Sequence, residues 1–186
     1  MNILTDAVPK SVEITGKSYE INTDFRTSIR FEEMIQDKNV TPEQDAFIEE
    51  LLSLPEYEGD YNEARLLSKY NDGLALYYPK IPDDIEEAIS KMLWFYQCGK
   101  DLKQKKAGKG KKVGQIYSFT YDADYIYAAF LEQYGIDLNV EKLHWWKFTA
   151  LFMSLKEDCL ISRVMYYRSV DLKRAWIKNK RNFIKK

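Results

Sequence analysis

Cysteine and histidine are nearly absent from this chain, with two cysteines (Cys98 and Cys159) and one histidine (His144) in 186 residues. The two cysteines have no metal-binding or redox spacing. Their number is compatible with a disulfide, but they read as reduced core thiols of a cytosolic protein. His144 has no serine or cysteine nucleophile motif beside it. In Leu143-His144-Trp145-Trp146-Lys147 it reads as a structural imidazole, hydrogen-bonded beside two indoles. No apolar run approaches the ~20 residues that span a bilayer, and no N-terminal apolar stretch follows basic residues. Export and membrane insertion are therefore not expected. No internal repeat is visible.

What the chain has in quantity is aromatic surface and charge. Hydrophobic residues make up 45%, aromatics 15% and charged residues 31%, a globular composition with 14 tyrosines and 4 tryptophans. Such rings suit contact faces as well as cores, because they bury area at low entropic cost. The net charge of -1 hides a division along the sequence. Residues 1–99 carry 9 Lys/Arg against 20 Asp/Glu, a net -11, and residues 100–186 carry 19 against 9, a net +10. That asymmetry points to a charged partner or to head-to-tail self-association.

The pattern predicts a mainly α fold of five to seven helices with a small N-terminal β-hairpin. Val12, Ile14, Tyr19 and Ile21 alternate with polar residues around Thr15-Gly16-Lys17, which gives a hairpin over 11–22. Asn22-Thr23-Asp24 caps a helix running to about residue 37. Thr41-Pro42-Glu43-Gln44 is a stronger start: a capping threonine, a proline at the first helical position and a capping-box glutamine. A helix over 61–70 follows, and Gly73 and Pro79 leave two readings of 71–78, continued helix or loop. Pro82-Asp83-Asp84 opens a helix that Gly99 ends as its C′ residue. Further helices are expected over 119–134, ended by Gly135, over about 139–156, and over about 157–168. The tail from Asp171 carries helical spacing as well. Residues 100–115 hold seven lysines and three glycines against one aspartate, which predicts a mobile loop. The organisation expected is thus an acidic region 1–99, the Lys/Gly-rich loop 100–115, and an aromatic region 116–186 with a basic tail, forming one core or two lobes.

Candidate sites are mostly excluded. Gly108-Lys109-Gly110-Lys111-Lys112 is no phosphate-binding loop, because Lys105 stands where the first glycine is needed and Lys112 where Ser/Thr is needed. Asp122 and Asp124 diverge on a helix and read as start signals rather than metal ligands. No catalytic, cofactor or metal residue is assigned, and no enzyme activity is expected. On a helix, Trp145 and Trp146 point about 100° apart. Trp146 shares a face with Leu143 and Ala150 and is expected in the core, leaving Trp145 nearer a contact surface. The tail from Arg163 to Lys186 has nine Lys/Arg and one Asp. Trp145, Lys173, Arg174, Lys178, Lys180 and Arg181 are accordingly the expected partner-binding residues.

Four stretches carry a resemblance: INTDFRTSIRFEEMIQD (21–37), ALYYPKIPDDIEEAISKMLWFYQCGK (75–100), YSFTYDADYIYAAFLEQYGIDL (117–138) and LHWWKFTALFMSLKED (143–158). They resemble a family of tailed-phage proteins known as phage gene product fifteen, which looks like a product of tail modules encoded near the tape-measure gene. The resemblance implies a tail-assembly chaperone role, with the tape-measure protein as partner, action in the host bacterial cytoplasm and absence from the mature virion. The family has no motif with an assigned catalytic role. The alternatives are a structural minor tail protein and a nucleic-acid-binding protein that uses the basic half.

Overall fold

The computed structural model describes residues 3–100 and 116–170. The expected loop lies, from residue 101 to 115, outside the described residues, as does the tail from Asp171. Seven α-helices and one hairpin are present among the described residues. The chain forms two compact units. Among the described residues the first takes 3–100 and 142–149, and the second takes 116–141 and 150–170.

In the first unit, β1 (Ser11–Ile14) and β2 (Lys17–Glu20) pair antiparallel, Val12 facing Tyr19 and Ile14 facing Lys17. The turn is shorter than the sequence suggested. Thr15 and Gly16 alone make it, with φ of 46° and 75°, so both central residues take the left-handed geometry that matches strand twist. A lone hairpin is marginal in water. Here Val12 and Ile14 are buried, and the Thr15 N–H donates to Glu87 Oε2 at 2.8 Å.

Helix α1 (Phe25–Gln36) starts where Asp24 accepts the Arg26 N–H. Helix α2 (Pro42–Ser53) carries the full reciprocal capping box of Thr41 and Gln44. Helix α3 runs from Tyr61 to Tyr77 without a break at Gly73. A Cβ at Gly73 would lie 2.6 Å from the Phe31 ring, so glycine lets α1 and α3 approach closely, at the usual helix-propensity cost. Phe31 is fully buried, edge-on to Tyr77 and Tyr96. Helix α4 (Ile85–Tyr96) is capped by Asp84. Its end differs from the expectation: Cys98, not Gly99, is the C′ residue, at φ 56°. The Cys98 N–H bonds Phe95 O and the Gly99 N–H bonds Trp94 O, the double closure of a Schellman motif.

The second unit contains α5 (Ala123–Tyr134), residues 150–153 of α6 (Trp145–Met153), and α7 (Leu160–Ser169). Gly135 closes α5 at φ 66°, as its sequence foretold. Helix α5 starts later than 119, because Phe119 to Asp122 form a turn held by the Ser118 N–H on Asp122 Oδ2 at 2.9 Å. Asp122 is buried. Both of its oxygens accept from the Arg168 guanidinium in the last turn of α7. That pairing holds the Asp122 carboxyl below the usual carboxylate range, against the opposing effect of burial. Tyr117, Phe119 and Phe152 pack as an aromatic cluster, and Tyr134 donates its hydroxyl to Leu151 O at 2.8 Å.

Candidate functional site

A cluster of polar and aromatic contacts lies in the first unit, around residues 142–149. Backbone pairing brings two helix starts side by side. Asp24 and His144 form an antiparallel bridge. The Phe25 N–H donates to Leu143 O at 2.9 Å and the Trp145 N–H to Thr23 O at 2.8 Å. The expected helix over 139–156 therefore shrinks to Trp145–Met153, because residues 143–145 are engaged in the bridge.

His144 caps this helix. Its Nδ1 accepts the Trp146 N–H at 3.1 Å, and its Nε2 lies 2.9 Å from Pro9 O. The backbone N–H is a fixed donor, so Nδ1 carries no proton and Nε2–H donates to the Pro9 carbonyl. The neutral imidazole satisfies both contacts, and a second proton would put two donors face to face at Nδ1. The structural role read from the sequence is the one observed.

Burial pulls the His144 pKa below its ordinary 6.5, with the Pro9 contact opposing and the Lys147 and Lys10 charges adding to the depression. The unfolded chain therefore takes up a proton that the folded chain resists. Stability from this site is full above about pH 6.5 and is lost as pH falls through the lower folded value. His144→Asn keeps a capping oxygen and removes the titration. Between about pH 7 and 5, the wild-type thermal midpoint should fall more steeply than that of His144→Asn, and parallel curves would refute the assignment.

The two indoles close the end of α4. The Trp145 Nε1–H donates to Tyr96 O at 2.7 Å and the Trp146 Nε1–H to Phe95 O at 2.7 Å. Both rings are buried, at 5% and 4% exposure, which corrects the expected outward position of Trp145. Its ring lies parallel to Tyr96 and to Phe148, each at 5.7 Å, and Phe148 in turn stacks on Phe25 at 4.8 Å. The Arg26 guanidinium ends this stack, 4.6 Å from the Phe25 centroid, and is paired with Asp24 at 3.0 Å. Trp146 packs against Trp94 and Phe95. A Cβ on Gly99 would come within 2.9 Å of the Trp146 ring, so that glycine answers both a positive φ and a close approach.

This arrangement ties the start of α6 to the start of α1 and to the end of α4. Among the described residues no group of three His, Cys, Asp or Glu could hold a metal ion. The Cys98 thiol is pushed up by burial, away from the thiolate a nucleophile needs. Of the expected partner-binding residues, Trp145 is thus in the core, and Lys173, Arg174, Lys178, Lys180 and Arg181 lie outside the described residues. The exposed apolar groups fall elsewhere. In the second unit Tyr166 and Tyr167 are 64% and 60% exposed. With Glu157, Ser162 and Arg163 they line a groove of about 440 Å3. The adjacent tyrosines late in α7 were the available signal, since one of two neighbouring helical rings must turn from any single core.

Fold and site together describe a mainly helical protein with a small N-terminal hairpin and exposed tyrosines on α7. The model of the family described as Bacteriophage Gp15 protein matches residues 4–186, and the chain belongs to that family; it is a phage protein. No curated protein and no solved structure matches it. No helix among the described residues is long and apolar enough to cross a membrane.

Proposed function

We propose that this phage protein is a tail-assembly chaperone-like binding protein that engages the tape-measure protein during tail morphogenesis. It acts through surface contact, without a cofactor or a catalytic step, in the host cytoplasm, and leaves before the particle is complete. The observation that carries the reading is the exposed face of α7, where Leu160, Tyr166 and Tyr167 stand in solvent beside the groove lined by Arg163. A long amphipathic helix presents apolar anchors one turn apart, and a groove edged by amphipathic rings accepts such anchors with adaptable register.

Co-expression with the tape-measure protein of the same phage, followed by pull-down, tests this. The tape-measure protein should be captured, and Tyr166→Ser with Tyr167→Ser should lower its recovery while the chain stays folded. Unchanged recovery from the double variant would remove α7 from the binding face. Mass spectrometry of purified particles separates the chaperone from a minor tail protein, since the chaperone should be absent. Salt-dependent gel shifts on random DNA or RNA would instead favour nucleic-acid binding by the basic half.

A further inference from the structure

We propose that the turn joining α2 to α3 is the docking site for the basic C-terminal segment, residues 171–186, of a second copy of the chain. The inference does not depend on the tape-measure reading, because it concerns a different surface and a different partner.

The surface comes first. Residues 42–63 contain eight Asp/Glu and no Lys/Arg. Ile48 and Gln44 turn the inner face of α2 onto α3. At the far end of the pair, Leu52, Leu54 and Tyr61 stand 42%, 40% and 45% exposed. Between and beside them lie the exposed acids Glu50, Glu56 and Glu58. Among the described residues none of these three acids enters an ion pair. Exposed apolar groups interspersed with carboxylates over this connection fit a partner that intersperses apolar groups with cations.

The occupant follows from charge and composition. Residues 171–186, Asp-Leu-Lys-Arg-Ala-Trp-Ile-Lys-Asn-Lys-Arg-Asn-Phe-Ile-Lys-Lys, hold seven Lys/Arg against one Asp, interleaved with Leu172, Trp176, Ile177, Phe183 and Ile184. No other stretch of comparable length combines that cationic density with large apolar side chains; the lysines of 100–115 come with glycines instead. A contact between different patches on two copies is heterologous, so it propagates into a chain of subunits when its rotation does not close. Charge steers such an encounter and apolar contacts hold it.

Sedimentation velocity of the full chain is the test, over a range of protein concentration at about 0.1 M and about 1 M salt, where the Debye length is about 10 Å and 3 Å. The sedimentation coefficient should rise with concentration at low salt and stay at the monomer value at high salt. The triple variant Glu50→Lys, Glu56→Lys, Glu58→Lys should weaken association about 100-fold, as should Lys178→Glu, Lys180→Glu, Arg181→Glu. None of the three glutamates caps a helix, and circular dichroism verifies that each variant is folded. Combining the two triple variants should restore association to within about 10-fold of wild type. Monomer at every salt and concentration would overturn the proposal. So would association that survives either reversal, that nuclease abolishes, or that the combined variant fails to regain. Capture of the tape-measure protein is read separately in the pull-down, so either idea can fail while the other stands.

Discussion

Trp145→Ala and Trp146→Ala should each lower the free energy of unfolding by about 3–5 kcal/mol. Consecutive helical residues diverge by about 100°, which ordinarily buries one and frees the other. Here α6 begins beside the end of α4, and the two rings straddle that end. Trp145 enters the parallel stack of Tyr96 and Phe148, and Trp146 enters the pocket of Trp94, Phe95 and Gly99. The Trp145 indole N–H satisfies Tyr96 O, one of the acceptors every helix end leaves orphaned, and the Trp146 indole N–H adds a second donor to Phe95 O, which already accepts the Cys98 N–H. Truncation to alanine thus removes a large buried ring in either case, and at Trp145 it also leaves Tyr96 O without its indole donor. Replacement by phenylalanine keeps most of the ring and loses only the N–H, so Trp145→Phe and Trp146→Phe should lose about 1–3 kcal/mol. Urea unfolding followed by circular dichroism measures all four. An alanine variant of Trp145 within about 1 kcal/mol of wild type would contradict its place in the core.

How far the sequence speaks depends on whether a feature is fixed by its neighbours in the chain. Thr41-Pro42-Glu43-Gln44 set the start of α2 unaided, because both halves of the capping box lie within four residues. The hairpin, Asp24, Asp84 and Gly135 were legible for the same reason. The start of α6 was not, because it is set by pairing with residues 23–25, more than a hundred positions earlier. Gly73 looked like punctuation, since its reason lies on another helix, in the Phe31 ring. Trp145 was assigned outward because the face argument assumes a single packing surface, while α6 meets the chain on two sides. His144 was read correctly by elimination, but its partners Pro9 and the Trp146 N–H lay beyond inference. The expected contact residues of the basic tail rested on charge alone, and charge names no surface; α7 and the α2–α3 turn emerged only from exposure in the folded chain.

Lys69→Met should cost about 3–4 kcal/mol, a large loss for a substitution that keeps nearly all of the side-chain volume. A lysine on a helix ordinarily lies in solvent, whereas Lys69 is 2% exposed. Its Nζ donates to Met34 O at 2.8 Å, Asp37 O at 2.6 Å and Asn39 O at 3.1 Å. An ammonium has three donors, and all three are used. The acceptors lie at and just beyond the end of α1, which has no basic residue in its own last turn, so α3 supplies from outside the cation that this negative dipole end favours. Burial pulls the Lys69 pKa below its ordinary 10.5, with the Asp37 charge opposing it. Transfer of the ammonium from water is therefore not fully offset by attraction, and its value lies in satisfying three backbone oxygens around the end of α1. Methionine retains the stem and strands those oxygens. Arginine presents a wider planar fork that does not match a pyramidal triad, so Lys69→Arg should also destabilise. Half-buried Arg65, which donates to Lys38 O at 3.1 Å in a solvent-exposed contact, is the control, and Arg65→Met should lose far less. Urea midpoints with unchanged slopes report the comparison directly. A Lys69→Met protein as stable as wild type would mean that water or rearranged backbone satisfies the end of α1, and that the buried ammonium is dispensable.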